Sequence, residues 1–294
     1  MAKIAFIGLG NMGGPMAGNL VKKGHEVRGV DLVTANVDAA AKHGVKAFQS
    51  AAEAAKGADV VITMLPAGKD TIAVYSKSGI LEAASTGTVF IDCSTIDVAS
   101  ARTAHELATK AGMLSVDSPV SGGVAGAEGA TLTLMAGGSQ AAFEKARPYL
   151  EGVGKKVVHC GDAGAGQAAK ICNNMMLGIS MLGVCEAFVL AEKLGLSHEA
   201  LFDVASTSSG QCWALTSYCP VPGPVPNSPA NSNYKPGFAS ALMVKDLKLA
   251  QQAAATSGAA TPMGALAAQL FGMHNSHGAS GLDFSSIISL IRGK

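Results

Sequence analysis

The rhythm of apolar and polar positions along this chain changes once, just after Gly166. Before that point, the short β-rich runs KIAFIG, HEVRGVD, DVVITML, GTVFIDCS and LSVDSPV alternate with helix-like stretches of alanine, lysine and glutamate. Strand-length runs separated by helices are the pattern of βαβ units on a parallel sheet. Two more strands are expected from TLTLMAGG and KKVVHCG, on either side of a helical AAFEKARPYL segment. Beyond Gly166 the strand-like runs stop and helical spacing takes over, with recognisable starts and stops. The pattern therefore predicts an α/β domain with a doubly wound, mostly parallel sheet over residues 1–163, then an all-α domain over 164–294 joined to it by a long helix.

That long helix is expected to run from about Gln167 to Leu194 and to stop at Gly195, since glycine readily takes the left-handed cap conformation. Ser197, Thr261 (followed by Pro262) and Asp283 are the expected caps of later helices. Between them, residues 216–237 (TSYCPVPGPVPNSPANSNYKPG) hold six of the eleven prolines and cannot form regular structure. A disordered linker and a working loop both fit that composition; Tyr218, Tyr234 and the adjacent Phe238 supply aromatic anchors for the second.

Composition narrows the classes. Hydrophobic residues are 48% and charged residues 15%, which fits a globular chain. A net charge of +1 with scattered lysine and arginine offers no basic stripe for nucleic acid and no polybasic membrane anchor. The apolar run over 175–191 is interrupted by Glu186 and is expected to be a buried helix rather than a membrane span. The N-terminal apolar run is too short for a signal sequence, so a cytoplasmic protein is expected. The six cysteines form no CxxC pair and have no metal-ligand spacing, so reduced thiols and no metal site are expected. His274 and His277, three apart without a companion carboxylate, are expected on the surface.

Candidate chemistry begins at GLGNMG, residues 8–13, directly after the first strand and opening a helix. This is the setting of a dinucleotide fingerprint, in which Gly8 permits the turn, Gly10 admits the pyrophosphate and Gly13 lets the helix pack closely. The helix N-terminus then faces the phosphates with unpaired N–H groups. Asp31 closes the second strand where a carboxylate meets the adenosine ribose hydroxyls, and Leu32 and Val33 follow where a 2′-phosphate would need a cation. The expected cofactor is NAD.

The segment GAGQAAKICNNMML, residues 164–177, poses a second question, because Lys170, Asn173 and Asn174 interrupt an otherwise apolar helix. Offsets of three and four residues put the three side chains on one helical face. A lysine snorkelling its head to water is one reading, and a site residue is the other. Ser121, Gly122 and Gly123 in SPVSGG offer a hydroxyl and adjacent backbone N–H groups that can curl around an anion, or form only a flexible turn. Trp213 and Phe238, close to the proline-rich loop, are candidates for the apolar side of a pocket or for core packing.

Six blocks in order, FIGLGNMGGPMAGNL, MLPAG, IDCSTI, DSPVSGGVAGAEGATLTLMAGG, GQAAKICNNM and MVKDLKLA, resemble the β-hydroxyacid dehydrogenase family across essentially the whole chain. SSGQCWAL, the proline-rich loop and GFASALMVKDL resemble its 3-hydroxyisobutyrate branch. The resemblance implies a Rossmann-type NAD-binding domain and a helical domain for substrate and oligomerisation. It makes Lys170 the acid/base, gives the substrate carboxylate to Ser121, Gly122 and Gly123, and gives Asn174 an orienting amide. It adds Asn11, Met12, Leu65, Pro66, Thr95 and Lys245 as cofactor contacts, with Asn173 and Asp246 in support. A lysine base near neutral pH requires a pKa well below its usual ~10.4, which apolar burial provides. The implied reaction is oxidation of 3-hydroxyisobutyrate to methylmalonate semialdehyde in valine breakdown, by a homodimer or homotetramer. Two other readings stand beside it: another 3-hydroxy acid (3-hydroxypropionate, tartronate semialdehyde or serine), and a noncatalytic NAD-binding module.

Overall fold

The computed structural model describes residues 1–293 and resolves into two compact units, Met1–Lys170 and Ile171 onward. The first is built on a twisted sheet of nine strands among the described residues: β1 (Lys3–Ile7), β2 (Glu26–Val30), β3 (Lys46–Ala47), β4 (Val60–Thr63), β5 (Val89–Asp92), β6 (Leu114–Asp117), β7 (Val120–Ser121), β8 (Leu132–Gly137) and β9 (Gly154–Gly161). Their spatial order is β3-β2-β1-β4-β5-β6-β8-β7, with β9 also paired to β8. The ladder from β3 to β6 is parallel; β8 runs antiparallel to β6 and β7 and parallel to β9. All seven strands expected from the pattern are present. The two-residue strands β3 and β7 were not expected, because neither is long enough to show an alternation.

Strand β1 sits where the topology reverses, since the chain winds outward through β2 and β3 and then returns to place β4 on the other side of β1. In open α/β sheets, ligands collect beyond the carboxyl ends of strands at such a point. Alternate residues face opposite sides of the sheet. Ile4, Phe6, Ile62, Ile91 and Val116 pack with Met16, Leu20, Phe143 and Leu150 on one side. Ala5, Val61 and Phe90 pack with Tyr75, Ile80 and Ala108 on the other. Burial of both faces explains why these strands read as nearly unbroken apolar runs.

The second unit is helical among its described residues, with main helices His198–Ser206, Ser240–Ser257 and Pro262–Ser276 beside the later part of the long helix Ala165–Leu194. Its core contains Met181, Cys185, Phe188, Met243, Leu247, Phe271, Phe284 and Ile287. The long helix ends as expected before Gly195, at φ +78°. By length and composition alone it could cross a membrane, with 44% of its most apolar window buried inside the molecule. Ser197 caps the next helix by accepting the Ala200 N–H, and Asp283 caps a 3-10 turn by accepting from Ser285. Thr261 precedes its helix but makes no side-chain cap; its hydroxyl donates to Gln251 instead.

The proline-rich segment is packed rather than a loose linker. Buried Asp283 accepts the Tyr218 hydroxyl and the backbone N–H groups of Gly237 and Phe238, and the Tyr234 hydroxyl donates to the Pro220 carbonyl. A short 3-10 turn, Pro229–Ser232, lies within it, and the segment's first residue, Thr216, ends the short helix Trp213–Thr216. The surface placement expected for His274 is corrected: it is buried, and its Nε2 pairs with the Ser286 hydroxyl at 2.7 Å. A histidine on an otherwise apolar helix can be satisfied by one hydroxyl from a distant turn, which local spacing does not reveal. His277 is exposed. All six cysteines are free thiols.

Candidate active site

The glycine-rich turn follows β1 and leads into the helix Gly13–Lys22. Gly8 has φ +96°, and a Cβ there would lie 2.2 Å from the Met64 carbonyl oxygen. A Cβ on Gly13 would lie 1.9 Å from the Gly8 carbonyl oxygen, so this contact between helix and turn admits no side chain. At Gly10 nothing stands within 4 Å of that position, which leaves room for a ligand to approach the backbone. Asn11 is exposed and Met12 half-buried beside it.

Asp31, at the end of β2, is held toward this turn: its Oδ2 accepts the Leu9 N–H at 2.7 Å and its Oδ1 the Val33 N–H at 2.8 Å. Leu32 is fully exposed and Val33 about half exposed. Arg28, the nearest arginine on that strand, is already engaged. It pairs with Glu26 at 2.9 Å, donates to the carbonyls of Ala54 and Lys56, and stacks over Phe48.

Beyond β4 and β5, the segments carrying Leu65, Pro66 and Thr95 are cross-braced by buried polar groups. The Ser94 hydroxyl accepts the Leu65 N–H at 2.7 Å and donates to Asp92 Oδ1 at 2.5 Å, which also accepts from the Thr63 hydroxyl. Asp92 Oδ2 has no hydrogen-bond partner among the described residues. Burial outweighs the donors from Ser94 and Thr63 and pushes the Asp92 carboxyl up to about 6.

At the end of β6, Asp117 anchors the start of the long helix. Its Oδ1 accepts the Gly164 N–H at 2.8 Å and pairs with His105 Nε2 at 2.9 Å, while Oδ2 accepts the Gln167 N–H at 2.9 Å. A carboxylate at a helix N-terminus satisfies unpaired donors and complements the positive end of the helix. Gly166 makes the fit possible, since a Cβ there would lie 2.2 Å from the Met135 carbonyl oxygen. This seating explains why the compact units divide after Lys170, six residues into the helix, rather than before its first turn. Lys170, one turn beyond Gln167, is 6% exposed.

Ser121 ends β7, followed by Gly122 at φ +136° and Gly123 at φ +64°. Two successive residues in conformations that L side chains avoid explain the glycine pair. The backbone N–H groups of such a turn suit an anion.

In the second unit, Asn174 is 2% exposed; its Nδ2 donates to Asp246 Oδ2 at 2.5 Å and its Oδ1 accepts from Asn173 at 2.9 Å. Buried Asp246 and half-buried Lys245 lie on the helix Ser240–Ser257. Trp213 is 52% exposed and stacked on Tyr218, so the core-packing reading does not hold for it. Half-buried Phe238 packs edge-on against Phe284.

Thus the glycine turn, Asp31, Leu65, Pro66, Thr95, Ser121–Gly123 and Lys170 belong to the first unit, all but Lys170 at or just after strand ends, whereas Asn173, Asn174, Lys245, Asp246, Trp213 and Phe238 belong to the second. Sequence reasoning missed Asp92, Ser94, His105, Asp117 and Gln167. The acids closing VFID and LSVD, and the glutamine of GQAAK, are the signals that could have found the network.

Two family models match the chain, one after the other. Residues 3–161 match the family described as the NAD binding domain of 6-phosphogluconate dehydrogenase. Residues 164–291 match that described as NAD-binding of NADP-dependent 3-hydroxyisobutyrate dehydrogenase. A probable 3-hydroxyisobutyrate dehydrogenase of Mycobacterium tuberculosis is 53% identical over 294 residues, covering 100% of this chain and 99% of the relative. An NAD-dependent L-serine dehydrogenase of Pseudomonas aeruginosa is 46% identical over 291 residues, covering 99% and 98%. The solved structure of the Mycobacterium tuberculosis 3-hydroxyisobutyrate dehydrogenase with L-serine superposes with a TM-score of 0.96 at 53% identity, covering 99% of each chain.

Proposed function

Because the chain belongs to the β-hydroxyacid dehydrogenase family related to 3-hydroxyisobutyrate dehydrogenase, and is an NAD-dependent oxidoreductase, we propose that it oxidises 3-hydroxyisobutyrate to methylmalonate semialdehyde with Lys170 as acid/base. The observation that carries the proposal is a lysine only 6% exposed on a helix whose first turn is pinned to the end of β6. A base must stay within hydrogen-bond reach of the proton it removes, and a pinned helix limits its wander.

The residues fit the cofactor. The glycine turn leaves Gly10 open to an approaching pyrophosphate, and Asp31, held toward that turn by the Leu9 N–H, is the carboxylate proposed to meet the ribose hydroxyls. Asn11, Met12, Leu65, Pro66, Thr95 and Lys245 would complete the contacts. Bound NAD supplies the hydride acceptor. The Lys170 amine takes the hydroxyl proton in oxidation, and its ammonium returns it in reduction. Ser121, Gly122 and Gly123 bind the substrate carboxylate, and Asn174, one turn beyond Lys170, orients the alcohol. Asp246 and Asn173 hold the Asn174 amide. Trp213 and Phe238 are the residues proposed to meet the methyl branch. Although one matched family description names NADP, the Asp31 carboxylate, exposed Leu32 and an Arg28 already committed to Glu26 favour NAD.

Residues 1–163 are read as the cofactor domain and 164–294 as the domain for substrate and self-association, in a cytoplasmic homodimer or homotetramer working in valine breakdown. Exposed Met176, Leu190, Leu194 and Val204 supply apolar surface for subunit contact.

L-serine is the second reading, favoured by the 46% identical L-serine dehydrogenase. Steady-state kinetics with NAD over 3-hydroxyisobutyrate, 3-hydroxypropionate and L-serine, and with NADH over tartronate semialdehyde, decides it. The proposal expects the methylated acid to lead in kcat/KM by about tenfold or more, the worth of a well-packed methyl group. A lead for serine would transfer the assignment to that substrate.

A further inference from the structure

The buried carboxamide of Gln167 has no part in the chemistry above, yet it joins two regions to which that chemistry is assigned. Its Oε1 accepts the Ile96 N–H at 3.1 Å and its Nε2 donates to the Ser94 carbonyl at 2.7 Å. The two bonds bracket Thr95. Ser94 in turn holds the Leu65 N–H through its hydroxyl. The Gln167 backbone N–H is taken by Asp117, and Lys170 follows three residues later. One side chain, 0% exposed, therefore ties the segment after β5 to the turn that carries Lys170.

We propose that Gln167 is a positioning residue for hydride transfer, fixing the lysine-bearing turn relative to the Leu65 and Thr95 segments through a donor and an acceptor on one amide. This rests on the acid/base reading of Lys170. The geometry demands both functions of the amide, because Ile96 offers a hydrogen and Ser94 a lone pair. Apolar residues of similar length can fill the space but meet neither. A carboxylate meets only Ile96 and sets an oxygen against the Ser94 carbonyl. A neutral carboxylic acid meets both.

That distinction gives a test which a merely space-filling role would not pass. In Gln167→Glu the new carboxyl is buried, with Asp92 behind Ser94 and with Asp117 of β6, itself paired to His105, holding the backbone N–H of the same residue; burial raises its pKa and the neighbouring carboxylates add to the rise. The acid form, present at low pH, restores the pair of bonds, and ionisation removes one. The ratio of variant to wild-type kcat is therefore expected to be near one at pH 6 and to fall about tenfold or more by pH 9, with circular dichroism unchanged. A flat ratio in a folded variant overturns the inference. If Gln167→Glu does not stay folded at high pH, Gln167→Met decides: kcat about tenfold lower at every pH, with NADH affinity within about threefold, supports it, and wild-type kcat refutes it. Lys170→Ala is assayed in parallel. Wild-type turnover there sinks the acid/base reading, whereas an inactive Lys170→Ala beside a flat Gln167→Glu ratio sinks the positioning role alone.

Discussion

The two units place their candidate residues by different means. In the first, the glycine turn is shaped by backbone: Gly8 and Gly13 are where they are because a Cβ would collide with a carbonyl oxygen, and Asp31 is held by main-chain N–H groups. In the second, Asn174 is aligned by other side chains, Asp246 and Asn173. Backbone-built sites tolerate little change in residue type but bring their own rigidity. A side-chain network depends on each member being satisfied, and removing one strands the others.

Asp117 departs from this division, since there a side chain does the anchoring inside the backbone-built unit. Asp117→Ala leaves the N–H groups of Gly164 and Gln167 and the His105 ring without their acceptor. The expected loss is about 3–5 kcal/mol, or roughly 10 °C in melting temperature by calorimetry. A loss below about 1 kcal/mol would mean that the sheet seats the helix without the carboxylate.

Asp246→Ala sharpens the contrast in the second unit. It removes the acceptor from the Asn174 amide, and kcat/KM for the hydroxy acid is expected to fall about tenfold to a hundredfold, while NADH affinity measured by fluorescence titration stays within about threefold. A parallel fall in NADH affinity would place Asp246 with the cofactor instead.

These contrasts also explain what could be read from the chain. Glycine spacing after KIAFI and the acid closing HEVRGVD were legible because the chemistry there is local and backbone-driven. The strands that bury both faces were legible as apolar runs. Asp117 and Gln167 were not, because their partners lie 50 and 71 residues away in sequence and no local period records them. His274 failed for the same reason, its Ser286 partner lying on a separate turn. Lys170 stood out as a polar interruption in an apolar helix, but its role came from resemblance, since a snorkelling lysine has the same pattern.

The smallest expected effect concerns pH. Asp92 has its folded pKa raised to about 6 by burial, so the folded state binds a proton more readily than the unfolded chain. Its stabilising contribution is full below about pH 4 and is lost as pH rises through about 6. Asp92→Asn cannot titrate, and its melting temperature relative to wild type should rise by a few degrees from pH 4 to pH 7. An unchanged difference would mean that the carboxyl is not desolvated as the structure shows.

In the proposed reaction the Lys170 amine moves the proton that accompanies hydride transfer. Its most direct test is the turnover of Lys170→Ala, followed by NADH absorbance with saturating NAD and hydroxy acid. Its kcat should fall about a hundredfold or more, with NADH still bound at near wild-type affinity. A kcat within about threefold of wild type would contradict it.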